Sequence, residues 1–362
     1  MGTRVSGPMT RSINVLMFFS FIAGVAALIS CARPPAPDLG PTQILAPASA
    51  RIPTPKRPLP LIDAHNHLPR GITIEQVIKL MDEAGVRATT LMPVYYEGSQ
   101  PQGQGISDES LVLEFYEKHP DRIIPILGMQ RPVLLNPDRW KSPDDAAENL
   151  LRFADARLKT GLFKGMGEFI LWHYPYAFPS GTRGGTVKIP ADTPLMKKFL
   201  DLAARYRVPV IIHYEVDNDS FPALKRMLDY GRKTIIVLAH NGGRPESPTL
   251  RAILDEYPNL FCDLGSMDHL GAYGRVSEGQ GQWTVKNPID DGTGHLRREW
   301  KALYERYPDR FMIGTDLAHP ELWAIPWNYK RRIAIFTSLL GDLSPGAAEK
   351  IGFRNAQKLF GT

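Results

Sequence analysis

The sequence predicts an α/β protein, a (β/α)8 TIM barrel with an additional C-terminal helix, preceded by an N-terminal lipoprotein-type signal and a proline-rich linker. Three observations predict it. From residue 59 onward, eight short apolar segments alternate with amphipathic helical segments, as in repeated βα units. Most apolar segments are nearly continuous, as expected for parallel strands buried on both faces. Residues that can bind metal recur where these segments end, which is typical of an active site at a barrel mouth.

The first 31 residues predict a secretory signal. Arg4 and Arg11 precede an uncharged apolar stretch, residues 13–29, which ends in small residues before Cys31. The stretch is slightly short for a membrane-spanning helix. Residues 28–31, Leu-Ile-Ser-Cys, resemble the lipobox of bacterial lipoproteins, in which the cysteine is acylated; an ordinary signal peptide with an incidental cysteine is the alternative. The resemblance implies export and a lipid anchor at the periplasmic or outer face of a bacterial membrane.

Residues 32–57 predict an extended linker, because they contain seven prolines and almost no periodicity. The net charge of +5 also belongs to this part of the chain: residues 1–57 hold six Lys or Arg and one acid, which leaves 37 basic and 37 acidic residues in 58–362. A nucleic-acid-binding surface needs a basic stripe, and the predicted barrel, residues 58–362, shows none. Cys262, in an apolar run, is the only cysteine besides Cys31, so no intrachain disulfide framework is predicted.

The predicted barrel elements follow one another in regular order. Each strand is a short apolar run, and each helix repeats apolar residues at helical spacing. The predicted strands are 59–65, 88–93, 123–129, 163–168, 208–213, 234–240, 260–264 and 310–316. The predicted helices are 74–84, 108–119, 144–158, 194–206, 221–230, 248–257, 296–307 and 329–340, with 345–359 as the additional C-terminal helix. The connections 169–193 and 265–294 are long, and such loops are usually lids or binding loops.

Six metal-capable residues lie at or just beyond the ends of predicted strands. They are His65, His67, Glu168, His213, His240 and Asp316. Residues two apart in a strand point to the same side, so His65 and His67 can bind one ion together. A lone His-x-His pair is weak evidence, since histidines also serve as hydrogen-bonded core residues. The equivalent strand-end positions of the other residues favour a metal centre.

These segments resemble the metal-dependent amidohydrolase superfamily, in particular amidohydrolase family 2, which includes aminocarboxymuconate-semialdehyde decarboxylase. The resemblance covers residues 59–361 and is carried by the segments IDAHNH (62–67), IIHYE (211–215), LAHNGG (238–243), IGTD (313–316) and RNAQKLF (354–360). It implies that His65, His67 and His213 bind the metal. It also implies that Asp316 is a ligand or the proton carrier, and that His240 stands beside the metal as a catalytic partner.

The role of Glu168 has two interpretations, a metal ligand or a polar residue of the barrel mouth, since some branches of the superfamily bridge two ions with a group from the fourth strand. The ligand types suit Zn²⁺, with Mn²⁺ or Fe²⁺ as alternatives. The resemblance to family 2 favours one ion, and two are possible. Arg70 and Arg244 are candidates for pairing with an acidic substrate, and Trp172 is a candidate for stacking on a cyclic one. The alternatives are solvated arginines and an aromatic residue that packs the lid.

The sequence thus predicts a metal-dependent hydrolase of a small ester, lactone or amide, in which metal-activated water attacks and Asp316 carries the proton. The alternative is non-oxidative decarboxylation of an aromatic or unsaturated carboxylic acid, with Asp316 or His240 protonating carbon. A lipid-anchored binding protein without turnover is a third possibility, and the intact set of ligand residues argues against it. The expected partner is a small-molecule substrate, with no nucleic acid, membrane contact through the anchor only, and a homo-oligomer possible.

Overall fold

The apolar segments form parallel strands that follow one another around a barrel. In chain order they are Leu61–Asp63 with His67–Leu68, Val86–Pro93, Ile123–Pro125 with Leu127–Gly128, Met166–His173, Val210–Tyr214, Ile236–Leu238, Leu260–Asp263 and Phe311–Met312, here numbered strands 1 to 8. Each consecutive pair from strand 1 to strand 8 is parallel. The Ala64 N–H donates to the Ile313 carbonyl at 2.9 Å, which joins strand 8 back to strand 1. The predicted α/β barrel is therefore confirmed.

The computed structural model describes residues 59–94, 108–174, 176–178, 181–183, 185–243, 245–268, 275–277, 280–284, 287–318, 320–324 and 326–361. The predicted signal and the whole proline-rich linker, together with Arg244, lie outside these residues. Within the described part of the chain, no helix has the length and apolar character that crossing a bilayer requires.

Helices follow the strands, and local sequence signals set their ends. Thr73 and Gln76 form a capping box at the start of the first helix, and Gly85 ends it with a φ of 72°. The helices after the eight strands are Ile74–Ala84, Glu109–Lys118, Asp145–Lys159, Pro194–Tyr206, Phe221–Tyr230, Ser247–Glu256, Arg298–Arg306 and Pro326–Leu340. They lie within a few residues of the predicted bounds.

The largest departure from the predicted elements lies in the two long connections. Strand 4 continues to His173, because Trp172 and His173 pair antiparallel with Lys188 and Val187. Beyond it, short strands from both connections form one antiparallel sheet, in the order Gln280–Thr284, Arg275–Ser277, Tyr176–Phe178, Gly181–Arg183. The two connections predicted as lids or binding loops therefore pair with each other after strands 4 and 7, which the sequence did not predict.

The C-terminal segment packs into the barrel interior. It runs through Pro345–Glu349, Lys350–Arg354 and Asn355–Phe360. Its buried residues, Phe353, Ala356 and Phe360, belong to one apolar cluster with interior residues of the strands, among them Ile62, Ile124, Ile211, Val237 and Met312. The Asn355 amide donates to the carbonyls of Pro308 and Phe311, both at 2.8 Å, at the start of strand 8. Because this segment occupies the end where the strands begin, the opposite end is left for polar side chains.

A candidate metal centre at the barrel mouth

Asp63 joins strand 1 to the residues after strand 8 and so brings the first and last parts of the site together. Its carboxylate accepts the Thr315 N–H at 2.9 Å, the Thr315 hydroxyl at 2.6 Å and the Asn66 amide at 3.0 Å. Burial raises the pKa of Asp63 to about 6, although the hydrogen bonds from Thr315 oppose the rise. Asn66 in turn accepts the N–H groups of His67 and Leu317, at 3.1 and 2.9 Å. The His-x-His segment is thereby held against the segment that carries Asp316.

His65 and His67 present their Nε2 atoms to each other at 3.3 Å, and both side chains are fully buried. The Asp263 carboxylate lies 2.8 Å from His65 Nδ1, which places the ring proton there and leaves the Nε2 lone pair for the site. His65 also packs directly on Gly314, where an added Cβ would lie only 2.6 Å from the His65 Cβ. A glycine at position 314 is therefore needed for this approach.

Glu168 lies at the centre of the cluster. Its Oε2 is 3.5 Å from His67 Nε2 and 3.8 Å from His65 Nε2. Its Oε1 is 3.1 Å from His213 Nδ1 and 3.6 Å from His240 Nε2. The residue that the sequence leaves most open thus stands between two pairs of histidines, with one carboxylate oxygen facing each pair.

Asp316 is the member of the cluster that faces the mouth, since its side chain is 19% exposed and the four histidines and Glu168 are 6% exposed or less. Its Oδ1 lies 3.7 Å from the Nε2 atoms of both His65 and His67. Its Oδ2 lies 3.8 Å from His240 Nε2. The Asp316 N–H donates to the His65 carbonyl at 2.8 Å, and the backbone φ of Asp316 is 51°, a strained value for a non-glycine residue.

His240 begins a left-handed turn, His240–Gly243, in which all four residues have positive φ. The strain at His240 and Asn241 is offset by hydrogen bonds that fix the turn. The His240 N–H donates to Asp263 Oδ1 at 3.2 Å, and His240 Nδ1 donates to the Gly265 carbonyl at 2.8 Å. Because a carbonyl only accepts, Nδ1 of His240 carries a proton, and Nε2 is the ring atom that faces Glu168 and Asp316.

His213 sits between two carboxylates. Its Nδ1 faces Glu168, and its Nε2 lies 3.6 Å from Glu215 Oε1, which is itself buried. Burial alone lowers the pKa of His213, but Glu168 and Glu215 raise it to about 9. The His173 ring packs on the His213 ring, with centroids 4.9 Å apart. The pKa of His173 is lowered to about 4 by burial and by His213.

The buried carboxylates of the cluster favour positive charge on the groups around them. Burial lowers the pKa of His65, but the carboxylates of Asp263, Glu168 and Asp316 raise it to about 10. Burial raises the pKa of Glu168 and of Asp316, but the surrounding histidines hold both below their ordinary values. The metal-free cluster therefore retains protons on histidines, as expected where buried carboxylates lack a metal ion.

The residues fit a divalent ion. Among the described residues, the ligand groups within reach of one another are His65, His67 and Glu168; His65, His240 and Asp316; and Glu168, His213 and His240. A tetrahedral ion with bonds of about 2.1 Å would separate its ligand atoms by roughly 3.4 Å. The separations among His65, His67, Glu168 and Asp316 given above run from 3.3 to 3.8 Å. His213 joins the cluster through Glu168 and His240, whereas the family resemblance groups it with His65 and His67.

The three residues predicted to bind substrate have different surroundings. Trp172 is buried, its indole N–H donates to the Tyr174 hydroxyl at 3.2 Å, and its ring packs on Tyr214. This burial favours a packing role for Trp172 over the predicted stacking on a substrate. Arg70 is exposed, and Arg244 lies outside the described residues.

Sequence reasoning missed several polar residues that contact the cluster. The Gln130 amide donates to Glu168 Oε2 at 2.8 Å, and the Ser266 hydroxyl donates to Asp316 Oδ2 at 3.0 Å. Asp263 is the last residue of strand 7, and Glu215 follows His213 by two residues. A search for acidic residues at or just beyond strand ends could therefore have found both. No sequence signal marks Ser266.

Comparison with known proteins supports the family and the fold. A family model described as "Amidohydrolase" matches residues 62–362. None of the curated proteins compared with the chain matches it significantly. Similar solved structures include an uncharacterised TIM-barrel protein from Bordetella bronchiseptica, with 14% identity over 84% of this chain and 99% of that one and a TM-score of 0.54. An apo protein from Agrobacterium tumefaciens gives 13% identity, 85% and 96% coverage and a TM-score of 0.52. A 2,6-dihydroxybenzoate decarboxylase from Rhizobium gives 17%, 84% and 99%, with a TM-score of 0.46.

Proposed function

Because the chain belongs to the amidohydrolase family of metal-dependent enzymes, we propose that it hydrolyses a small ester, lactone or amide. The observation that carries this proposal is the convergence of histidine nitrogens and carboxylate oxygens at the mouth, with Glu168 shared between His65 and His67 on one side and His213 and His240 on the other. Two ligand sets that share one carboxylate are typical of a two-ion centre.

His65, His67 and Glu168 would hold the first ion together with Asp316, whose Oδ1 lies 3.7 Å from both histidines, and Glu168, His213 and His240 would hold the second. Zn²⁺ is the ion that these nitrogen and carboxylate ligands suit best. When bound, such ions supply Lewis acidity, which polarises a carbonyl group and lowers the pKa of water to about 7. The sequence favoured one ion, and the position of Glu168 between the histidine pairs now favours two.

Asp316 is placed to move the proton in this reaction. It is the most exposed acid of the cluster, and its Oδ2 faces both the Ser266 hydroxyl and His240 Nε2. A general base must lie within hydrogen-bond reach of the proton that it takes. Asp316 would accept the proton of the attacking water and return it to the leaving group. His240 would bind the second ion through Nε2 rather than act as the separate catalytic partner that the sequence predicted.

A two-ion arrangement favours hydrolysis over decarboxylation. In two-ion sites the ions together stabilise the attacking and leaving oxygens of a displacement. Decarboxylation requires no attacking water, so the second ligand set would have no part in it.

Turnover by the purified full-length chain, extracted in detergent and loaded with Zn²⁺ or Mn²⁺, tests the proposal. Panels of small esters, lactones and amides should give acid products, and metal-free protein should give none until metal is restored. Release of CO2 from aromatic acids without hydrolysis would replace the proposal by the decarboxylase alternative. Metal-loaded protein that turns over nothing in either panel would overturn both.

Metal stoichiometry is the second test. Two ions per chain are expected in the purified protein, and Glu168→Gln, which keeps the shape of the side chain, should lower this number. Glu148→Gln is the matched control, since Glu148 pairs with Lys198 on the surface. One ion per chain in the wild type would contradict the second ion and leave only the site that includes His65 and His67.

The same proposal includes the location of the enzyme. The apolar stretch before Cys31 supports export, and Leu28-Ile29-Ser30-Cys31 supports acylation of Cys31. Replacing Cys31 by alanine should move the protein from the membrane fraction to the soluble fraction. Unchanged membrane retention would count against the anchor.

A further inference from the structure

A chain of hydrogen bonds runs from the last barrel helix to the carboxylate of Asp316. Arg332, on helix Pro326–Leu340, is buried and donates through Nη1 to the Ser266 hydroxyl at 3.1 Å and to the Thr315 carbonyl at 2.6 Å. Ser266, also buried, donates its hydroxyl to Asp316 Oδ2 at 3.0 Å. Ser266 thus links the guanidinium group of Arg332 to one carboxylate oxygen of Asp316.

The direction of these bonds is determined by chemistry. A guanidinium group carries only donors, so Ser266 Oγ must act as acceptor toward Arg332. The hydroxyl of Ser266 has one proton, which is then directed at Asp316. Asp316, an acceptor when ionised, takes it on Oδ2.

This arrangement divides the two oxygens of Asp316. Oδ2 is held by Ser266, and Oδ1 is therefore turned toward the Nε2 atoms of His65 and His67, at 3.7 Å from each. A carboxylate beside a metal centre that lacks such a partner can rotate and lose this orientation, since outer hydrogen bonds orient metal ligands.

We propose that Ser266 and Arg332 are positioning residues for Asp316, in which Arg332 orients the Ser266 hydroxyl and Ser266 fixes the plane of the Asp316 carboxylate. The inference deepens the proposed function and rests on the role of Asp316 in it. The proposal places neither Ser266 nor Arg332 in contact with the substrate. Their effect reaches the reaction through the orientation of Asp316.

Ser266→Ala in the full-length protein tests the proposal, with Co²⁺ as the probe ion. Loss of an outer hydrogen bond typically costs about 10- to 100-fold in metal affinity or activity. We expect a loss of this size in Co²⁺ affinity and in kcat, a KM within about twofold of the wild type, and a changed visible absorption spectrum of bound Co²⁺. Co²⁺ affinity, spectrum and kcat all matching the wild type would overturn the proposal.

Ser338→Ala is the matched control, because it also removes a largely buried hydroxyl that donates a hydrogen bond, at 2.8 Å to the Gly294 carbonyl. It should leave Co²⁺ binding and kcat unchanged while lowering the unfolding temperature about as much as Ser266→Ala. If Ser338→Ala alters Co²⁺ binding and kcat equally, the role of Ser266 is structural and the proposal fails.

Arg332 is tested through its dependence on Ser266. Arg332→Met should weaken Co²⁺ binding, and Arg332→Lys, which keeps one charged donor, should restore part of the loss. In the Ser266→Ala background, Arg332→Met should cause little further loss of Co²⁺ affinity, because Arg332 acts through Ser266. Fully additive losses would contradict this order of action.

Absence of turnover in the wild type would contradict the proposed function, whereas the Co²⁺ measurements would still decide whether Ser266 and Arg332 position Asp316.

Discussion

The carboxylate of Asp263 lies 2.8 Å from the Nδ1 of His65, 198 residues earlier in the chain. The contact fixes the ring so that Nε2 faces Glu168 and Asp316, and the other Asp263 oxygen accepts the backbone N–H of His240. One carboxylate therefore orients two of the histidines. Carboxylates in this position stabilise the ligand tautomer and increase the basicity of the ring.

Asp263→Asn should weaken metal binding by about 10- to 100-fold, because an amide at this position no longer enforces the His65 tautomer. Isothermal titration of the metal-free protein with Zn²⁺ measures the change. Asp342→Asn is the control, since Asp342 accepts from His295 in a similar pair away from the site. Equal affinities for the wild type and Asp263→Asn would show that the contact does not tune the metal.

His213→Ala should leave one bound ion per chain, because His213 belongs to the ligand set of the second position only. Metal analysis of the purified variant gives the number, and circular dichroism checks the fold. His295→Ala, which removes an exposed histidine, should keep both ions. Retention of two ions by His213→Ala would refute the ligand assignment.

Asp316→Asn should lower kcat by about 10² to 10⁴-fold while KM stays within a small factor, since a proton carrier contributes mainly to the transition state. Steady-state kinetics at saturating metal measure the effect. The variant must be compared at equal metal content, because Asp316 is also assigned as a ligand. Near-normal turnover would exclude the proton-transfer role.

Metal affinity should rise with pH. In the metal-free protein the pKa of His65 is about 10 and that of His213 about 9, against an ordinary value of 6.5, so both hold protons at neutral pH. A metal ion requires unprotonated nitrogens, so protons compete with it at low pH and are released when it binds. Calorimetry in buffers of different ionisation enthalpy should detect this release. An affinity that is constant between about pH 7 and pH 9 would contradict the expected competition.

Gly314→Ala should destabilise the protein by about 1–3 kcal/mol, because the new methyl group would press on the His65 side chain. Urea unfolding measures the loss, and metal content should fall with it because His65 is displaced. Gly346→Ala is the control, since an added Cβ there meets no atom within 4 Å. Equal unfolding free energies for both variants would show that the site tolerates the closer packing.

Local sequence patterns predicted the elements well where each is governed by its own residues. The helices 74–84, 194–206 and 221–230 have the bounds that their apolar spacing indicated. Strand 4 was predicted too short, because its last residues pair with a strand from the following connection. The pairing of Arg275 with Tyr176 likewise joins two distant loops, and neither loop carries a periodic pattern that reveals its partner.

The sequence by itself determined the barrel, the strand-end positions of the histidines and carboxylates, and the family, because periodicity and short motifs are local properties of the chain. Only the tertiary structure decided which of these residues lie close enough together to share an ion. Glu168 lies between the two histidine pairs, Asp263 orients His65, and Ser266 holds Asp316, because closure of the barrel brings together the ends of strands far apart in sequence. Distances between such side chains depend on the stagger of the strands and on tight approaches such as Gly314 to His65, which no local pattern encodes.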